Sequence, residues 1–237
     1  MSEKVCELKN VTYMYPKSDK GVKNINLYVN SGSIVGLLGE SGCGKSTLAK
    51  CISKQLPIDS REIKCSKLGY IFQDNYAALN PAKRINWLLR ETIKYANPSE
   101  FKNSDDLIKV ILKEVELDET ILEHYPSELS GGQRQRVGIA MALLSDPDIL
   151  IADEPVSALD VTVQKQVIKL IKKINEEKNL AILFISHDIK VVREICNYIY
   201  IIKDGEVIEE GESEDLFTNP SCEYTKNLLD SSYLTQE

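Results

Sequence analysis

Nine residues, "GESGCGKST" from Gly39 to Thr47, place three glycines ahead of a lysine and two hydroxyls. Glycines let a backbone wrap closely around an anion, with successive N–H groups pointing inward. The stretch fits G-x-x-x-x-G-K-[S/T]. In that pattern the lysine, here Lys45, reaches the β- and γ-phosphates of a nucleotide, and the hydroxyl of Ser46 binds Mg²⁺. Gly39, Glu40, Ser41, Gly42, Cys43, Gly44 and Thr47 complete the candidate phosphate grip. It follows the apolar run 34–38 and precedes a helical stretch, 47–53, whose N-terminal end adds positive charge.

A second constellation suits the same chemistry. "DILIADE" is an apolar strand that ends in Asp153 and Glu154. A carboxylate at the end of a buried strand beside a phosphate loop can hold Mg²⁺, directly or through water, which assigns Asp153. The next residue, Glu154, can polarise an attacking water as general base. A third stretch, "LSGGQRQR", sets Ser130 before Gly131, Gly132 and Gln133. Serine at the N-cap with glutamine three residues on is a capping box. A cap needs no paired glycines, which weaken a helix start unless something approaches the backbone closely.

The elements that must position these groups can be read from periodicity. Val11, Tyr13 and Tyr15, then Ile25, Leu27 and Val29, alternate with polar residues, which predicts short antiparallel strands. Four compact apolar runs, 34–38, 68–72, 149–152 and 181–185, read as strands of a parallel sheet buried on both faces. Between the second and third runs, Ile85, Leu88, Leu89 and Ile93 share a helical face. Leu107, Ile108, Ile111, Leu112 and Val115 share another, with Ser104 placed to cap it. Residues 161–178 form an amphipathic helix, and "YIYIIKDGEVIEEG" a hairpin turning at Asp204–Gly205. The fold class is α/β: a mostly parallel mixed sheet with a phosphate loop, an N-terminal antiparallel β subdomain and a helical insert. The expected division is a core of 1–75 and 136–237 and an insert of 76–135 within one domain.

Composition bounds the reading. The chain has 237 residues, 43% hydrophobic and 27% charged, the balance of a globular protein. No apolar run approaches the roughly 18 residues of a membrane span, and the first residues show no signal-peptide core. The expected location is the cytoplasm unless a partner holds the chain elsewhere. A net charge of −7 argues against a nucleic-acid binder. The six cysteines form no CxxC pair and are read as reduced thiols.

These motifs, taken in order, resemble the ATP-binding cassette (ABC) ATPases over nearly the whole chain. "LSGGQ" is similar to that family's signature motif, "SALD" (157–160) to its D-loop, and His187 after "LFIS" to its switch histidine. Gln73, ending the second apolar run, resembles the Q-loop glutamine. The resemblance implies a catalytic set of Lys45, Gln73, Glu154 and His187, and a Mg²⁺ set of Ser46, Gln73 and Asp153. It also implies Tyr15, rather than Tyr13, stacking on adenine. The family pairs two cassettes head to tail, so Ser130, Gly131, Gly132 and Gln133 would meet ATP held by the partner cassette's loop, with Asp160 in the D-loop. The partners implied are ATP, transmembrane permease subunits and a second cassette, identical or related. The chain would then lie on the cytoplasmic face of the membrane through the permease.

"IFQDNYAALNPAKRI" (71–85), "ADEPVSALDVTVQKQVIKLI" (152–171) and "EYTKNLL" (223–229) are similar to the peptide and nickel importers of that family. The chain departs from them in a shorter stretch between Lys45 and Gln73 and in Val156, where threonine is usual. Only Cys222 lies near the cysteine-rich tail of some peptide-importer subunits. Soluble ABC ATPases of DNA repair or translation remain an alternative, although they usually carry a coiled-coil insert or a second cassette. A small phosphate-loop kinase would explain the loop but not the signature, the D-loop or His187.

Overall fold

A computed structural model describes residues 3–58, 62–74 and 78–234. The alternating N-terminal segments form β1 (Lys4–Met14) and β2 (Gly21–Asn30), paired antiparallel. The buried runs become β3 (Ile34–Leu38), β5 (Leu68–Ile71), β6 (Ile149–Asp153) and β7 (Ala181–Ser186). β8 (Tyr198–Lys203) and β9 (Glu206–Glu212) form the expected hairpin. The second sheet runs β5-β6-β7-β3-β8-β9, parallel from β5 to β8, with β9 antiparallel at the edge. The mostly parallel sheet, the N-terminal antiparallel sheet and the helices agree with the expected fold class.

The pleat of the parallel strands divides the interior. Side chains alternate faces along a strand. Ile34 and Leu38 of β3 join one core with Leu150, Ala152, Ile182 and Phe184. Val35 and Leu37 join the other with Ile149, Ile151, Leu183 and Ile185. The first core is closed by helices, the second by the antiparallel sheet and by α1 (Lys45–Ile52). Apolar residues at every position therefore mark strands covered on both sides.

The helices follow the predicted stripes. α2 (Ile85–Ala96) buries Ile85, Leu88, Leu89 and Ile93, and α3 (Ser104–Glu114) buries Ile108, Ile111 and Leu112. α4 (Gly131–Leu144) is buried on most of its circumference, as a helix at the centre of a core must be. α5 (Val161–Lys178) is capped by Asp160, which accepts from the N–H groups of Thr162 and Val163. α6 (Ile189–Ile195) is capped in the same way by Asp188. Two short helices close the chain, α7 (Ser213–Thr218) and α8 (Glu223–Leu234).

Three expectations need correction. Ser104 does not cap α3; it is the first helical residue, and its hydroxyl accepts from Arg90 at 2.8 Å. α1 begins at Lys45, two residues early, because Gly44 at φ 114° lets the loop enter the helix directly. The cysteines are not all thiols. A three-residue strand, β4 (Ile63–Cys65), pairs with β1 and sets Cys65 directly opposite Cys6, and the two form a disulfide. The basic, polar surroundings of "REIKCSK" hid that strand. Of the importer-like stretch 71–85, residues 75–77 lie outside the described residues, as do 59–61 of the shortened stretch.

Candidate functional site

The predicted residues gather at the carboxyl ends of the parallel strands, where open α/β sheets place their ligand sites. The loop 39–44 leaves β3 and bends into α1. Gly39 is required by close approach: a Cβ there would stand 2.3 Å from the Ile202 carbonyl oxygen. Gly44 is required by its positive φ. The back of the loop is braced by the β8–β9 turn, where the Gly205 N–H donates to the Cys43 carbonyl at 2.9 Å. Lys45 is buried, and its Nζ donates to the Gly39 and Glu40 carbonyls at 2.7 and 2.8 Å.

Behind the loop, Asp153 ends β6 in the interior. Its carboxylate accepts from the Tyr70 hydroxyl at 3.0 Å and the Ser46 hydroxyl at 3.4 Å. Burial is the main cause that pushes its pKa above the ordinary carboxylate range, and the neighbouring Glu154 adds to the rise. The hydrogen bonds from Tyr70 and Ser46 and the charge of Lys45 oppose it. Tyr70 is pushed up as well, first by burial and then by the Asp153 charge.

Glu154 stands apart from the strand in conformation. Its φ of 46° is left-handed, uncommon for a residue with a Cβ and costly unless the surroundings enforce it. Its N–H donates to the Ile185 carbonyl, which anchors the turn to β7. The carboxylate is held at both oxygens. Gln73 donates from Nε2 to Oε2 at 3.1 Å, and His187 Nδ1 lies 3.0 Å from Oε1. An ionised carboxylate only accepts, so Nδ1 carries the hydrogen. Gln73, Glu154 and His187 come from the ends of three strands, β5, β6 and β7.

A cleft of about 250 Å³ opens in front of the loop, lined by Tyr15, Ser41, Gly42, Ser46, Gln73 and Glu154 among others. Tyr15 is at its rim, while Tyr13 stacks edge-on against it at 5.1 Å and packs on the core behind the loop. A larger cleft, about 660 Å³, lies between β1 and the start of β6 and β7 and holds none of the predicted residues.

Ser130, Gly131, Gly132 and Gln133 are not brought to this cleft. They form the capping box of α4: Ser130 Oγ accepts from the Gln133 N–H at 3.3 Å, and Gln133 Oε1 accepts from the Ser130 N–H at 2.9 Å. The close approach that the glycines were expected to permit is partly made within the chain. A Cβ on Gly132 would stand 2.7 Å from Val163 Cγ1, and one on Gly131 3.3 Å from Leu159 Cδ2. Asp160 is likewise engaged as the cap of α5.

Two participants were missed in the sequence. Tyr70 reaches the buried carboxylate, and the signal for it was a tyrosine inside a short buried strand, whose hydroxyl needs a partner. The Asp204–Gly205 turn was read only as a hairpin, and nothing in a hairpin pattern tells what its turn supports.

The donor set also fits a divalent cation. Mg²⁺ takes hard oxygen ligands, usually one or two from the protein besides phosphates and water. The Ser46 hydroxyl and the Asp153 carboxylate, beside the phosphate loop, are such a pair.

The family model described as "ABC transporter" matches residues 22–157. The chain is 40% identical to the oligopeptide transport ATP-binding protein OppF of Streptococcus pyogenes serotype M1, over 97% of this chain and 82% of that protein. A dimeric structure of the ATP-binding cassette MJ0796, in a post-hydrolysis state bound to ADP and Pi, superposes with a TM-score of 0.72 at 32% identity. It covers 88% of this chain and 98% of that one. The cbiO1 protein of Clostridium perfringens, at 24% identity, shares the fold with a TM-score of 0.81 over 99% of this chain and 100% of its own.

Proposed function

The chain belongs to the ABC transporter family of ATP-binding proteins, and from that membership we propose that it is the Mg²⁺-dependent ATPase subunit that powers a peptide importer. The observation that carries the catalytic reading is the Glu154 carboxylate, held at one oxygen by Gln73 and at the other by His187 at the mouth of the loop cleft.

ATP would lie with its phosphates in the loop 39–47 and its adenine on Tyr15. Lys45 exchanges its carbonyl contacts at Gly39 and Glu40 for phosphate oxygens. Glu154 accepts a proton from water as the water oxygen bonds to the γ-phosphorus and the bond to the β-phosphate oxygen breaks, leaving ADP and phosphate. Gln73 and His187 orient the base, since both oxygens are fixed by donors that leave the remaining lone pairs for water. Ser46, Asp153 and Gln73 would hold Mg²⁺, which when bound neutralises charge on the phosphates.

Pairing with a second cassette, identical or related, brings the signature of each, Ser130 to Gln133 in this chain, to the γ-phosphate held by the other, with Asp160 at the same interface. That the MJ0796 cassette, 32% identical, is dimeric in its ADP- and Pi-bound state supports the pairing of two cassettes. The peptide substrate is favoured over nickel by the relative at 40% identity, whose name specifies oligopeptide transport. Among the described residues no helix is long and apolar enough to cross a membrane. Membrane attachment would therefore come through permease subunits. Affinity purification of the chain from solubilised membranes tests the role: permease subunits should co-purify, and ribosomes or DNA in their place would overturn it.

A further inference from the structure

One charged side chain that lines the loop cleft takes no part in the steps above. Lys20 stands on its wall with Tyr15, Gly21 and Gly44. The backbone holds it there from both sides. Residues 15–20 form a closed turn, in which the Tyr15 N–H donates to the Lys20 carbonyl at 3.0 Å and the Ser18 N–H to the Tyr15 carbonyl at 3.2 Å. The Lys20 N–H donates to Ser18 Oγ at 3.1 Å. The chain beyond the turn lies against the phosphate loop. A Cβ on Gly44 would stand 3.0 Å from the Gly21 carbonyl oxygen, and the Lys23 N–H donates to Gly205, in the turn that braces Cys43, at 2.7 Å. The Lys20 side chain itself is exposed, and its ammonium makes no ion pair or hydrogen bond among the described residues. Of the groups lining the cleft, Lys20 and Lys45 are the cations and Glu154 is the anion.

We propose that Lys20 is a nucleotide-binding residue whose ammonium donates to the α-phosphate of ATP or ADP in this cleft. The order of groups along the cleft picks out that phosphate. Tyr15 marks the adenine end, and Gln73 with Glu154 marks the γ-phosphate end. Lys20 shares a closed turn with Tyr15, and its neighbour Gly21 abuts Gly44, so it stands where base gives way to phosphate. Lys45 serves the β- and γ-phosphates in this loop pattern, which leaves the α-phosphate charge to Lys20. An ammonium on a flexible stem suits such a contact, because it needs a point charge and no fixed fork.

The inference rests on reading 39–47 as the ATP grip, and its test separates the two. MgADP and the non-hydrolysable Mg–AMPPNP are titrated calorimetrically into the full chain at low salt and at high salt. Wild-type protein that binds neither would overturn the grip, and this contact with it. Lys20→Gln should weaken both nucleotides by the same factor, roughly two- to fivefold at low salt, the size of a charged contact at an exposed site. The loss should shrink in about 1 M salt, where the screening length falls to about 3 Å. Lys20→Arg, which keeps the charge, should recover most of the affinity. Wild-type affinity for both nucleotides in Lys20→Gln would overturn the contact and leave the grip standing. A loss confined to Mg–AMPPNP would put Lys20 on the γ-phosphate and overturn the assignment to the α-phosphate. A loss that salt does not diminish would mean a displaced Tyr15 rather than a missing charge, and would overturn it equally.

Discussion

Ser130 is asked to do two things, and a single substitution separates them. In the isolated chain its hydroxyl caps α4 through the Gln133 N–H. In the paired state it would meet the γ-phosphate held by another cassette. Aspartate caps a helix about as well as serine, so Ser130→Asp should leave the melting temperature near that of wild type. Ser130→Ala, which loses the cap, should cost about 1 kcal/mol, or roughly 2–4 °C for a chain of this size. Against a phosphate the ranking inverts. One negative charge set about 4 Å from another costs on the order of 4 kcal/mol at an effective dielectric constant of 20. That weakens ATP-driven pairing on the order of 10³-fold, while alanine should weaken it far less. The assay is size-exclusion chromatography with ATP in a Glu154→Gln background, which keeps nucleotide unhydrolysed, beside an ATP titration of the monomer. Monomer binding should be unaffected, because the chain's own loop at 39–47 is intact. A Ser130→Asp protein that pairs as tightly as its parent would refute contact with phosphate in trans. Loss of ATP binding in the monomer would show the signature acting in cis.

Other outcomes follow from the same geometry. Tyr15→Ala should weaken ATP binding several-fold, as expected for an aromatic contact of about 0.5–1.5 kcal/mol, and Tyr15→Phe should hardly matter; a larger loss in Tyr13→Ala would assign adenine to the wrong ring. Gly132→Ala should destabilise the fold by roughly 1–3 kcal/mol through overpacking against Val163, and Val163→Ala should restore most of it in urea unfolding. Alkylation of the denatured, unreduced protein should find four free thiols, those of Cys43, Cys51, Cys196 and Cys222; six would contradict the Cys6–Cys65 pairing.

Much of this was legible in the sequence, for identifiable reasons. β3, β6 and β7 are buried on both faces, so unbroken apolar runs marked them, and α5 matched its predicted span because its caps and its stripe agree. The loop glycines announced themselves through a backbone shape only glycine takes easily. What escaped was set by tertiary register. Cys65 opposite Cys6 depends on a three-residue strand with no apolar pattern of its own. The partners of Gly132 and Tyr70 are Val163 and Asp153, which the fold brings near from afar in sequence. The left-handed turn at Glu154, which aims the carboxylate between Gln73 and His187, is likewise a product of β6 and β7 packing.

Glu154 as the base for ATP hydrolysis stands or falls with phosphate release by the Glu154→Gln protein at saturating ATP and Mg²⁺, paired with an ATP titration of the same sample. Turnover should fall by about 10² or more, as for loss of a general base, with ATP affinity retained. Turnover close to wild type would contradict the assignment.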